Sequence, residues 1–269
     1  MIFAPDALSH GKPVAISRGR SPDSTLVKSA GTSQDKSWKA ETADEVERMD
    51  LITGATGFVG SHLAEAALAR GRKVRTLVRA DSDTQFLDGL KVERVVGELR
   101  PGADLKYALD GVDVVFHCAA RVGDWGPIDA YRQVNVEGLR ALLEACKGRP
   151  LKKFIHFSSL GVYAARHHHG TDESEPLPEH HIDGYTQSKV EAEKLALEYQ
   201  QKHGVPVVIL RPGFIYGPRD RTVLPNLVSN LRRGIVWYLG SGDQALNTIY
   251  VGNLVDAAFL AVEKAAPGR

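Results

Sequence analysis

Residues 53–60 read TGATGFVG, with Gly54, Gly57 and Gly60 at intervals of three. The neighbours decide what the run means. Before it stands Leu51-Ile52-Thr53, and after it SHLAEAALAR (61–70) sets Leu63, Ala66, Ala67 and Leu68 at helical spacing until Gly71 stops the pattern. The order is strand, glycine turn, helix. Such a turn lets the backbone come close to a pyrophosphate, which then sits on the free N–H groups at the helix N-terminus. A glycine triplet alone is weak evidence, but flanked in this way it points to a bound nucleotide.

The same alternation continues to the end of the chain. KVRTLVR (73–79), VERVVGEL (92–99), DVVFHCAA (113–120), KKFIHFSS (152–159) and VPVVILRP (205–212) read as strands. YRQVNVEGLRALLEACKG (131–148) and YTQSKVEAEKLALEYQQKHG (185–204) read as helices. Short strands separated by helices predict an α/β fold, a Rossmann-type doubly wound parallel sheet. Asp50 disagrees locally. It falls where a central strand would bury an apolar side chain, so either the first strand is short or the sequence upstream of Leu51 is foreign to the fold.

The 269 residues are 43% apolar and 25% charged, which suits one sizeable globular domain with at most a small annex. With 34 basic and 33 acidic side chains the formal charge is +1, giving no broad field for nucleic acid or an anionic membrane. Cys118 and Cys146 are too few for a disulfide scaffold, and no apolar run approaches the roughly 18 residues of a membrane span. A cytoplasmic setting is expected. Residues 1–48 are rich in Ser, Thr, Lys and Arg without apolar periodicity, and read as a disordered extension or one assigned upstream of a true start at Met49. Asp6, Asp23 and Asp35 argue against a targeting peptide there. Residues 49–269 form the expected domain, with a partial substrate lobe at about 212–250.

TGATGFVGSHL resembles the cofactor fingerprint of the extended short-chain dehydrogenase/reductases, within the NAD-dependent epimerase/dehydratase superfamily. The resemblance covers about residues 51–266 and implies that Gly54, Thr56, Gly57, Phe58, Val59 and Gly60 hold a dinucleotide. The second strand ends Val78-Arg79 with no carboxylate before Asp81, which favours NADP over NAD because an arginine there accommodates a 2′-phosphate. Glu98 and Leu99 fall where the family meets the adenine. Cys118, Ala119 and Ala120 match the segment beside the pyrophosphate and nicotinamide ribose, Asn135 matches the family's helix asparagine, and Pro212 and Gly213 would lie near the carboxamide.

Tyr185 and Lys189 are four apart on a helix and therefore share a face. A phenol with a reference pKa of about 10 is a poor acid–base group near neutrality, and a neighbouring ammonium should lower it. HFSSLGVYA (156–164) resembles the family's S-S-x-x-V-Y-G segment, which selects Ser159 as the hydroxyl that orients the substrate oxygen. Ser159, Tyr185 and Lys189 are thus the expected catalytic group of a hydride-transferring oxidoreductase acting on a secondary alcohol or ketone, with no metal. The histidines of HHH (167–169) and HH (180–181) lack metal-site spacing and read as a polar loop above the site.

RPGFIYGPRDRTVLPNLV (211–228) and TIYVGNLVDAAFLAVEKA (248–265) look most like the branch of 3β-hydroxysteroid and sterol carboxylate dehydrogenases. The substrate is a small molecule, and steroid, flavonoid-like and sugar-nucleotide classes stay open. Family members usually continue beyond the position of Arg269, which implies an incomplete substrate lobe. Nucleotide-sugar epimerisation or dehydration is the alternative chemistry, and a non-catalytic NADP sensor the alternative of another class. The helices at 131–148 and 185–204 resemble those that form a homodimer interface in the family.

Overall fold

The computed structural model describes residues 48–123, 125–166, 168–181, 183–234 and 246–268. The extension at 1–48 lies, apart from Arg48, outside the described residues, as do His167 and residues 235–245 of the expected lobe.

Strand β1 (Met49–Thr53) runs through the glycine turn into α1 (Phe58–Ala69), and β2 (Lys73–Val78) and β3 (Glu93–Val96) follow. After β4 (Val112–His117), one helical rod is built from α2 (Ile128–Arg132), a π-turn at Gln133–Glu137 and α3 (Gly138–Cys146). Then come β5 (Lys153–Phe157), α4 (Gly184–His203) and β6 (Val207–Leu210). The six strands are all parallel, in the order β3-β2-β1-β4-β5-β6. This is the Rossmann order, with its switch point between β1 and β4, where a crevice opens at the strands' C-terminal ends.

Strand periodicity assigns the two faces of the sheet. Leu51 and Phe154 point to one side, into a core with Leu139, Leu142, Leu143, Leu195 and Tyr199 from α3 and α4. Ile52, Phe116 and Ile155 point to the other and pack on Leu63, Ala64 and Ala67 of α1 and on Leu254, Val255 and Phe259 of α6 (Val251–Lys264). The sixth strand is shorter than the run 205–212 because Pro206 and Pro212 flank it and cannot donate to a ladder. The lobe contributes β7 (Phe214–Tyr216), α5 (Val223–Arg232) and β8 (Thr248–Tyr250), with β7 and β8 paired in parallel.

Met49 and Asp50 belong to β1, so the first strand extends upstream of Leu51. The Asp50 carboxylate is fully buried and takes two hydrogen bonds from Arg72, each 2.5 Å. Burial pushes this carboxyl up, and the Arg72 hydrogen bond and charge pull it back. The partner lies 22 positions away at the start of β2, which is why no local pattern announced it. Replacing Arg72 by Met strands the buried charge and should cost about 3–5 kcal/mol in urea unfolding, whereas Asp50→Leu combined with Arg72→Met should recover most of that loss.

Candidate active site

The glycine turn is built by contact as much as by conformation. Gly54 has φ +72°, and a Cβ on it would meet the Ala119 nitrogen at 2.7 Å, while one on Gly60 would lie 2.3 Å from the Gly54 carbonyl oxygen. The turn is therefore pressed against the end of β4 on one side and against α1 on the other. α1 has Gly57 at its N-cap, with no side-chain cap and no acidic residue in its first turn. An uncapped helix N-terminus at the switch point, inside a cradle that any side chain would fill, fits a dinucleotide pyrophosphate. Thr56, Phe58 and Val59 lie within that turn and first helical residues.

The sequence reading missed Thr53. Its hydroxyl receives the Ala119 N–H at 3.3 Å and lies 2.8 Å from His117 Nδ1, so it ties the β1 end to the Cys118-Ala119-Ala120 segment. His117 is buried and stacks on the buried His156 with ring centroids 5.5 Å apart. Burial, then the charge of Lys189, hold His117 down to about 3 and His156 well below its ordinary value, so both rings are neutral. Burial pushes the Cys118 thiol up, so it stays protonated.

At the far edge of the crevice, Arg79 is exposed and ion-paired to Asp81 at 3.2 Å, and Glu98 to Arg100 at 3.4 Å. Leu99 turns inward, its carbonyl oxygen 3.0 Å from where a Cβ on Gly138 would sit. Asn135 sits in the π-turn and is buried. Its side chain accepts from the Arg121 N–H at 2.7 Å and donates to the Arg121 carbonyl at 3.1 Å and to Ser188 Oγ at 2.9 Å. Asn135 thus pins the loop after β4 to the helix that carries Tyr185 and Lys189, and the π-turn aims it there.

That helix, α4, is capped by Asp183, which accepts the Thr186 N–H at 2.8 Å, and stops at Gly204 with φ +67°. It brings Tyr185 towards Ser159, whose hydroxyl works to lower the phenol's pKa and accepts the Gly161 N–H at 3.1 Å. Lys189 is buried one turn on. Its ammonium donates to the Phe157 carbonyl at 2.8 Å and lies 5.9 Å from the Tyr185 ring centroid.

The expected lowering of the Tyr185 phenol is corrected here. Burial raises it, the hydrogen bond with Ser159 works against that, and the lysine ammonium is spent on the end of β5. Lys189 itself is pushed down to about 8 by burial, against the charge of Glu193. Pro212 and Gly213 lie beside the serine turn: the Pro212 carbonyl accepts the Leu160 N–H at 2.9 Å, and a Cβ on Gly213 would lie 2.1 Å from the Asn247 carbonyl oxygen. In the histidine loop, His168 is held by Thr171 at 2.9 Å and by the Ala164 carbonyl at 2.7 Å.

An ¹⁵Nζ titration should place Lys189 near pH 8 in the nucleotide-free protein. Between that value and the unfolded reference of about 10.4, the unfolded chain keeps a proton that the folded one has released, so this group's contribution to stability should rise with pH across the window. Stability that falls with pH in wild type relative to Lys189→Met over that window would contradict the burial described.

The profile of the NAD dependent epimerase/dehydratase family matches residues 51–269. The chain is 32% identical over 220 residues to a 4-hydroxy-2-methyl-3-oxo-4-farnesyl-3,4-dihydroquinoline-1-oxide ketoreductase of Stigmatella aurantiaca, covering 81% of this chain and 66% of that protein. It is 34% identical over 227 residues to a 3-beta-hydroxysteroid dehydrogenase of Mycolicibacterium neoaurum, covering 81% of this chain and 62% of that protein. The chain thus spans less than two thirds of the length of these relatives. Among solved structures, UDP-glucuronic acid 4-epimerase of Bacillus cereus, in complex with UDP-glucuronic acid and NAD, superposes with a TM-score of 0.71 at 28% identity, covering 81% of this chain and 74% of that one. Glycine cradle, uncapped helix and the serine–tyrosine–lysine group all lie within the matched residues, and the chain belongs to the NAD dependent epimerase/dehydratase family.

Proposed function

We propose that this chain carries the cofactor site and catalytic group of an NADP-dependent oxidoreductase that interconverts a secondary alcohol and a ketone on an apolar substrate, in the manner of a 3β-hydroxysteroid dehydrogenase. The observation that carries the reading is the meeting of Ser159 with Tyr185 above the buried Lys189 at the open end of the sheet. The bound nicotinamide would supply the hydride acceptor or donor. The Tyr185 hydroxyl exchanges the proton of the substrate oxygen, and the Ser159 hydroxyl hydrogen-bonds that oxygen and orients it. Raised by burial, Tyr185 is held as the neutral phenol near neutral pH, which suits proton donation to a ketone. The glycine cradle with Thr56, Phe58 and Val59, the segment 118–120, Glu98, Leu99, Pro212 and Gly213 are proposed to line the dinucleotide.

The apolar character of the substrate is supported by the loop after β4. Tyr131, whose ring lies 6.5 Å from that of Tyr185, donates to the carbonyls of Gly123 and Trp125 at 2.9 Å each and so fixes the loop beside the catalytic phenol. Val122 and Trp125 stand exposed on it, Trp125 at 91%. Such side chains suit a sterol, isoprenoid or acyl chain better than a sugar diphosphate. The likeness to a nucleotide-sugar epimerase favours the second reading, in which the hydride returns to its own substrate. A ketone-dependent loss of NADPH absorbance would support the first reading, and turnover of a UDP-sugar without absorbance change the second.

The preference for NADP rests on Arg79, whose exposed guanidinium can exchange Asp81 for a 2′-phosphate. Two surface features also enter the proposal. The groove between the π-turn and α4, bearing Arg132, Glu137, Arg140, Glu191, Lys194 and Glu198, offers both charge signs to a homodimer partner, and among the described residues no helix is long and apolar enough to cross a membrane. Light scattering tests the dimer. Fluorescence titration should show tighter binding of NADPH than NADH, with Arg79→Ala weakening NADPH about 10-fold or more and leaving NADH unchanged. Tyr185→Phe should lower kcat by about 10²–10⁴ while cofactor affinity holds.

A further inference from the structure

Arg211 stands at a junction that the proposed chemistry does not explain. Its two chain neighbours hold the serine turn: the Leu210 carbonyl accepts the Ser158 N–H at 2.7 Å and the Pro212 carbonyl accepts the Leu160 N–H at 2.9 Å, so Ser159 is bracketed by bonds to the residues on either side of Arg211. The Arg211 side chain runs to the catalytic helix, where it donates to Glu193 from Nε at 3.0 and 3.2 Å and from Nη2 at 2.6 Å. Nη1 donates to the Tyr163 hydroxyl at 2.7 Å, and that hydroxyl donates onward to the Asp172 carbonyl at 3.2 Å. Glu193 is 1% exposed and lies two turns after Tyr185 and one turn after Lys189 on the same helix. One guanidinium thus joins the strand end, the serine turn and the helix carrying Tyr185 and Lys189.

We propose that Arg211 and Glu193 are positioning residues for catalysis, a buried strut that holds the Tyr185–Lys189 helix face in register with Ser159. The planar fork of Arg suits this task because its donors reach the carboxylate and the phenol at fixed angles, which an ammonium on a flexible stem does not. Catalytic geometry is sensitive at this scale: a misplacement of about 1 Å costs on the order of 10²-fold in rate.

The strut also sets charge. The groups facing the Lys189 ammonium are Cys118 and His117 at the end of β4, His156 on β5, and Tyr185 and Glu193 on its own helix. The thiol, both imidazoles and the phenol are neutral near pH 7 for the reasons of burial given above. Glu193 is the carboxylate among them, paired with Arg211 at 2.6 Å, and its charge opposes the burial that pushes Lys189 down.

The inference rests on the proposed oxidoreductase reading for its rate readout but not for its charge readout. Glu193→Gln preserves shape and removes charge, and Arg211→Lys preserves charge and loses the fork. In ¹⁵Nζ titrations of the whole chain, Glu193→Gln should move Lys189 to lower pH, whereas Arg211→Lys should leave it close to wild type. With a 3-ketosteroid or 3-oxoacyl substrate, Arg211→Lys should lower kcat about 10- to 100-fold with NADPH affinity within about twofold. Tyr163→Phe, which keeps the ion pair and is read against an unchanged circular dichroism spectrum, should lower kcat several-fold and serves if either other variant does not fold.

An unmoved Lys189 titration in Glu193→Gln would overturn the charge role, and wild-type kcat in folded Arg211→Lys or Tyr163→Phe would overturn the positioning role. A wild-type chain that reduces no ketone would sink the functional reading, and the Lys189 titrations would then decide the strut.

Discussion

The structure hangs on one close approach of backbone to backbone, that of Gly54 to Ala119. These two residues lie just past the ends of adjacent central strands, and at 2.7 Å from the Ala119 nitrogen there is no room for a side chain. Because the turn is pressed onto the end of β4, α1 starts at the switch point and its N-terminal N–H groups open into the crevice. Gly60 repeats the constraint on the other side, where α1 packs onto the turn it leaves. The cradle is thus a packing solution first, and its capacity to receive a pyrophosphate follows from the emptiness that packing requires.

Burial is the second organising term, and it acts on chemistry. Lys189, His117, His156 and Glu193 are all nearly inaccessible, and together they form a polar layer under the open end of the sheet. Two of these groups answer burial by becoming neutral, and Glu193 answers it with a bidentate partner in Arg211. The result is a sparse set of charges in that layer: one ammonium, one carboxylate and the guanidinium paired with it. Sparse charge in a dry layer makes each remaining charge count for more than it would in water.

The loop after β4 shows how the same elements are reused. Asn135 in the π-turn fastens its beginning at Arg121, and the Tyr131 hydroxyl fastens Gly123 and Trp125. The π-turn changes the helix phase between α2 and α3, so one rod can aim Asn135 at α4 and still bury Leu139, Leu142 and Leu143 in the core. Val122 and Trp125 stand exposed on that loop, while what holds it in place is polar.

Local sequence determined a good deal of this protein. Periods of two and 3.6 placed the strands and helices, Gly54, Gly57 and Gly60 placed the turn, and the four-residue interval from Tyr185 to Lys189 placed both on one helical face, because each of these depends on neighbours within a turn or a strand. The partner of Asp50, the hydroxyl of Thr53, the stacked histidines and the strut from Arg211 to Glu193 were decided only in three dimensions. Glu193 stood in view at a further helical interval of four, but nothing local announced that a guanidinium from the residue after β6 would reach it. The direction in which Tyr185 shifts belongs with these. Spacing brings an ammonium near a phenol, whereas burial and the aim of that ammonium decide which effect is larger, and both are properties of the packed sheet rather than of the helix that carries the pair.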